Sequence, residues 1–215
     1  DELAVLGEAR ETVEQEGLEI ELTAEVCPHH LFLNTDIYER LGTRARVNPP
    51  IRSEENRQAV WEALRADGIQ FIATDHAPHT PEEKDRGYWE APSGLPGVQT
   101  LLPLMLDAAN SGLCDPEDVV DWLAHRPAET YGIAQRGRLA AGAHADLVLV
   151  DPQMTRTVTD EDQFSRCGWT PWEGRELTGW PVLTMVGGEV AYRRDGRAKG
   201  EVVAEPGLGR EVDFA

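Results

Sequence analysis

The chain is 215 residues long and carries 39 acidic against 20 basic residues, for a formal charge of -19. Phosphate binding asks for clustered lysine and arginine, so no nucleic-acid partner is expected, and no apolar run approaches the roughly 18 residues of a membrane span, so no membrane partner is expected either. The acids are spread along the chain rather than gathered in a tail, which points to the self-repelling acidic surface of a halophilic protein, with an ordinary acidic protein as the alternative.

Leu3, Leu6, Ala9 and Val13 recur at helical spacing, so residues 1–15 are expected to form a helix that Gly17 ends. Residues 18–26 read as a strand and residues 34–46 as loop and short helix. Ser53 is placed to cap a helix running through Arg65, with Trp61 and Leu64 facing inward. Asp67-Gly68 then turns the chain into a strand at residues 69–73, which gives the helix and strand alternation of a parallel barrel. Residues 80–97 are rich in proline, glycine and charge, and a connection of that length is expected to be functional. Residues 98–110 and 116–124 are expected helices, and 127–131 a weaker one. Past Gly137 the pattern changes to short β runs at 147–150, 155–159, 182–186 and 189–192, with Gly187-Gly188 suited to a tight hairpin.

The chemistry is expected where the apolar run Phe71-Ile72-Ala73-Thr74 breaks into Asp75-His76-Ala77-Pro78-His79. Residues just past the C-terminal end of a barrel strand face the active site, and a carboxylate there suits a metal ligand and proton carrier. Asp75 could instead cap the turn that follows, and His76 could simply hydrogen-bond within its loop. Adjacent side chains diverge, so His29 and His30 are read as structural rather than as a chelating pair. Asn48 precedes Pro49 and Pro50, whose fixed φ stiffens the loop and holds the amide in place. Cys27, Cys114 and Cys167 are too widely spaced for a disulfide framework or a Cys-x-x-Cys zinc site and are read as reduced.

Four ordered motifs carry a resemblance. Glu25-Val26-Cys27-Pro28-His29-His30, Asn48-Pro49-Pro50-Ile51-Arg52, Ala73-Thr74-Asp75-His76-Ala77-Pro78-His79 and Glu90-Ala91-Pro92-Ser93-Gly94 occur in the order seen along the last barrel strands and loops of the dihydroorotases. These are metal-dependent members of the amidohydrolase superfamily. The likeness continues through residues 142–148 and 185–190, and so covers nearly the whole chain.

The resemblance implies an α/β fold, the C-terminal portion of a (β/α)8 TIM-like barrel over residues 1–136 followed by the C-terminal part of a small β-sheet domain over residues 137–215. It implies zinc, one or two ions, with Asp75 as metal ligand and catalytic proton carrier, and Asn48, His79, Pro92 and Ser93 as contacts to the substrate. An amide and an imidazole can donate to the carboxylate or ring oxygens of a small acidic heterocycle. The family's H-x-H-x-R motif, its bridging lysine or aspartate and its fifth- and sixth-strand histidines are not found in these residues, so the chain is expected to be the C-terminal half of a longer enzyme, inactive alone. Arg52 is not taken as the carboxylate binder, because the family's arginine belongs to that H-x-H-x-R motif.

The implied reaction is the reversible hydrolysis of dihydroorotate to carbamoyl aspartate in pyrimidine biosynthesis, in the cytoplasm, with a homo-oligomer or a carbamoyltransferase as possible partner. The alternatives are an allantoinase or hydantoinase-like cyclic amidohydrolase and a non-catalytic dihydroorotase-like scaffold subunit.

Overall fold

A computed structural model describes residues 2–196 and 199–214. Helix α1 (Glu2–Gln15) matches the expected helix, apart from Asp1, which lies outside the described residues. It presents no fully buried residue, and only Leu3 packs against the main core. Arg10 ties it down instead, donating to the Leu22 carbonyl at 2.9 Å, the Gly68 carbonyl at 2.9 Å and the Gln70 side chain at 2.6 Å.

Strand β1 (Glu25–Val26) and strand β2 (Phe71–Ile72) pair in parallel, Glu25 opposite Phe71 and Val26 opposite Ile72. Bonds from Gln70 N to Ala24 O and from Ala73 N to Val26 O, both 3.0 Å, extend the pair by a residue at each end. The strand expected over residues 18–26 is therefore much shorter. Among the described residues its first part has no ladder partner: the Leu22 carbonyl is taken by Arg10, and Ala24 N donates to the Gln70 side chain at 2.9 Å. Leu18 and Ile20 are correspondingly exposed.

Between the strands lie α2 (Pro28–Phe32), α3 (Ile37–Leu41) and α4 (Glu54–Arg65). Ser53 caps α4 by accepting from Asn56 N, and Trp61 and Leu64 are buried as their spacing predicts. The Trp61 indole donates to the Leu31 carbonyl at 2.7 Å, so this ring is both packed and satisfied. With Val26, Ile69, Ile72, Met105, Ala108 and Trp122 these residues form the principal core.

The expected loop 80–97 opens with a short helix, α5 (Pro81–Lys84), whose Thr80 and Glu83 form a reciprocal capping box. Helix α6 (Leu101–Asn110) starts later than the pattern suggested; Thr100 N and Leu101 N bond to Gly97 O in a turn ahead of it, and the N–H groups of Gly97 and Val98 donate to the His76 ring. Helix α7 (Pro116–Val120) runs into a π-helical stretch, Asp121–His125, and then α8 (Arg126–Thr130). Pro127 lies in the first turn of α8. It supplies no N–H and its ring crowds the carbonyl a turn earlier, which the wider π turn relieves.

Strands β3 (Leu147–Thr157), β4 (Glu176–Val186), β5 (Glu189–Arg193) and β6 (Glu201–Val202) form an antiparallel sheet in that order. The runs expected at 147–150 and 155–159 join into one strand, with register shifts after Leu149 and Asp151. Helix α6 seats on β4 at Gly179, where φ is +106 and a Cβ would come within 2.5 Å of Leu106 Cβ. That glycine permits the close approach. Leu104 of α6 enters the core of Val158, Trp172, Leu177 and Trp180, while its neighbour Met105 enters the principal core, so one helix joins the two sheets.

Candidate active site

Parallel pairing of β1 and β2 brings Cys27 and Asp75, one and three residues beyond the two strand ends, to the same end of the sheet. Asp75 is exposed and holds φ at +44, a left-handed conformation that aspartate and asparagine tolerate and branched residues do not. Its charge is felt by the β1 turn. Burial, then Asp75 and Glu25, push the Cys27 thiol up to about 12, so it stays protonated. Burial lowers His30, and Asp75 partly offsets this. Burial and then His30 bring His29 down to about 3, which keeps a ring only 4% exposed neutral at pH 7.

His76 is a loop fastener. Its Nδ1 accepts from Gly97 N at 3.0 Å and Val98 N at 3.3 Å, which places the ring proton on Nε2. His79 Nδ1 stands 3.6 Å from a Glu83 carboxylate oxygen, and its backbone carbonyl accepts from the Trp169 indole at 2.8 Å. Asn48 is exposed at the end of a segment anchored by buried Ala45 and Val47, and the Asn48–Pro49 peptide is cis.

Pro92 and Ser93 lie in the loop that returns from α5. Gly94 there has φ +134 and faces Ala77 so closely that a Cβ would meet the Ala77 carbonyl at 2.5 Å. Ala77 N donates to Leu95 O at 3.1 Å, and Gly94 N donates to Arg46 O at 3.1 Å. The loop of Pro92 and Ser93 is thus bonded to the Asp75–His79 segment on one side and to the segment entering Asn48 on the other. Hydrogen bonds thus join the segments that carry the expected residues Asn48, Asp75, His79, Pro92 and Ser93, and Asp75, Asn48 and Ser93 are exposed.

Three residues that bond to these segments were not foreseen. Lys84 is fully buried and donates to the carbonyls of Arg46, Pro92 and Gly94. The Arg46 guanidinium donates to the carbonyls of Tyr88 and Ala91. Trp169 reaches His79 from a point 90 residues further along the chain. The sequence did hold a signal for the first: Thr80-Pro81-Glu82-Glu83 reads as a capping box, which puts Lys84 on a helix rather than in open loop.

Among the described residues, no three His, Cys, Asp or Glu side chains converge on a point that could hold a metal ion. Asp75, the expected ligand, offers one carboxylate position, which is not by itself a zinc site.

A carboxylate just past the C-terminal end of a parallel strand sits where α/β barrel enzymes carry catalytic residues. The model of the amidohydrolase family matches residues 12–191, and the chain belongs to that family. It is 47% identical over 173 residues to a dihydroorotase of Halobacterium salinarum, covering 80% of this chain and 41% of that relative. A dihydroorotase of Pyrococcus furiosus is 38% identical over 192 residues, covering 88% of this chain and 44% of the relative. The chain thus spans about two-fifths of the length of the curated relatives it matches. Among solved structures, an L-hydantoinase (dihydropyrimidinase) from Arthrobacter aurescens superposes with a TM-score of 0.85 at 34% identity, over 98% of this chain and 45% of that one. A D-hydantoinase (dihydropyrimidinase) from Thermus sp. gives 0.78 at 28% identity, over 94% and 44%. No described helix is long and apolar enough to cross a membrane.

Proposed function

We propose that this chain carries the last strand ends and the substrate loop of a dihydroorotase, which opens the cyclic amide of dihydroorotate to carbamoyl aspartate, reversibly, in pyrimidine biosynthesis. The observation that carries the reading is Asp75 at the strand end, with the Pro92-Ser93 loop bonded to the Asp75–His79 segment and to the segment that enters Asn48. In this reading Asp75 takes a proton from the attacking water and returns it to the leaving ring nitrogen. Asn48 and His79 donate to the carboxylate and ring oxygens of the substrate, and the backbone at Pro92 and Ser93 borders the ring edge. Zinc, as one or two ions with Asp75 among its ligands, supplies an acidified water and a polarised carbonyl when bound.

The architecture follows the same reading: residues 1–136 as part of a (β/α)8 barrel and residues 137–215 as part of a small β domain, the antiparallel sheet being its frame. The charge of -19 supports a halophilic setting, and the cytoplasm is the compartment that goes with the dihydroorotase reading. A hydantoinase-type cyclic amidohydrolase is the second reading, favoured by the superposition on the hydantoinase from Arthrobacter aurescens.

Turnover of dihydroorotate against an unsubstituted hydantoin, which lacks the carboxylate, separates the two. In a full-length enzyme carrying this chain, dihydroorotate is the better substrate, and Asn48→Ala and His79→Ala each lower its turnover, because each removes a donor to the substrate's oxygens. Equal rates on both substrates would transfer the assignment to the hydantoinase class.

A further inference from the structure

We propose that Lys84 is a positioning residue: its ammonium clamps the Pro92–Gly94 loop to the segment that delivers Asn48, so that one buried side chain sets the distance between two substrate contacts. The inference rests on the dihydroorotase reading above. Lys84 ends α5 and is 0% exposed, which is rare for a lysine. Its three N–H groups meet three backbone carbonyls, Arg46 at 2.7 Å, Pro92 at 2.8 Å and Gly94 at 3.0 Å. An ammonium has three donors and no acceptor, so this set satisfies it completely.

A charge is costly to bury, and a loop needing only apolar contact would pack more favourably around leucine or methionine. What lysine adds is convergence. Arg46 lies two residues before Asn48, and Pro92 and Gly94 bracket Ser93, so the three acceptors belong to the two loops that carry three of the expected contacts. Burial, with the nearby Arg46 charge, lowers the ammonium to about 8, and it therefore still carries its third proton at neutral pH. The bonds run through the backbone, so Lys84 acts on the substrate only by placing the groups that touch it.

Two measurements test this in a full-length enzyme carrying this chain. The first compares steady-state kinetics of the wild type and Lys84→Met, which keeps the length of the side chain and removes its donors. The expected result is a KM for dihydroorotate raised tenfold or more with kcat changed less than threefold, since Asp75 is untouched. The second needs no variant and decides the matter should Lys84→Met fail to fold. Wild-type enzyme is acetylated with an amine-reactive ester, with and without saturating dihydroorotate, and peptides are read by mass spectrometry with exposed Lys199 as internal reference. Substrate seated on the clamped loops slows Lys84 acetylation at least fivefold relative to Lys199. An unchanged KM in a folded Lys84→Met, or an unchanged acetylation ratio, overturns the inference alone. A wild type that does not turn over dihydroorotate overturns the functional reading and this inference with it.

Discussion

The indole of Trp169 donates to the backbone carbonyl of His79 at 2.8 Å, across 90 residues of sequence. Trp169 is 2% exposed and packs with Ile37, Val47, Ile51 and Leu95, so the segment between β3 and β4 grips the expected substrate-binding histidine through its main chain.

Replacing that indole tests the grip. Trp169→Phe retains most of the apolar contact but leaves the His79 carbonyl without its donor, at a cost of about 1–3 kcal/mol. Urea unfolding of the variant should show the lower midpoint, and the KM for dihydroorotate should rise with it. A midpoint equal to that of wild type would mean that the bond contributes nothing.

Asp75 offers a clean separation of backbone from chemistry. Its φ of +44 suits asparagine as well as aspartate, so Asp75→Asn should fold with a melting temperature close to that of wild type, whereas Asp75→Val should be destabilised by strain. In the full-length enzyme the asparagine variant should lose about 10²- to 10⁴-fold in turnover, because an amide cannot accept the proton, while losing much less of its metal. Retention of more than about a tenth of the rate would remove Asp75 from the proton-transfer role.

His29 predicts acid lability. Its pKa in the folded chain is about 3 against 6.5 for the free ring, so between those values the unfolded state binds the extra proton. Stability is thus fully present above pH 6.5 and is lost as pH falls toward 3; this one ring accounts for about 2 kcal/mol by pH 5. Chemical denaturation at pH 7 and pH 5 should show the loss, and His29→Asn, which cannot titrate, should show a smaller one. An identical pH dependence in both proteins would assign the effect to other groups.

Salt should stabilise this protein. With 39 acids against 20 basic residues, the folded surface repels itself, and molar KCl shortens the screening length to about 3 Å. The melting temperature should therefore climb from low salt to molar KCl. A flat or falling curve would argue for an ordinary acidic protein whose surface pairs, such as Arg44 with Asp85 and Arg126 with Asp67, outweigh the repulsion.

Much of this molecule is local in origin, and the sequence by itself determined that part. The spacing of Trp61 and Leu64 and the cap at Ser53 specify α4, and the strand-ending Asp75 and the proline-stiffened Asn48 mark where the chemistry is expected, because helix periodicity, capping and φ restriction act within a few residues. Tertiary structure alone decided where pairing stops and what holds the site together. Residues 18–24 have strand character, yet among the described residues no strand pairs with their first part, and their polar groups turn to Arg10 and Gln70. A lone lysine in a charged loop gives no sign that it will be buried under the carbonyls of Arg46, Pro92 and Gly94, nor does a tryptophan near the antiparallel sheet reveal that it meets His79. Those contacts depend on which distant segments the fold brings within hydrogen-bond reach, a property of the packed chain rather than of any stretch of it.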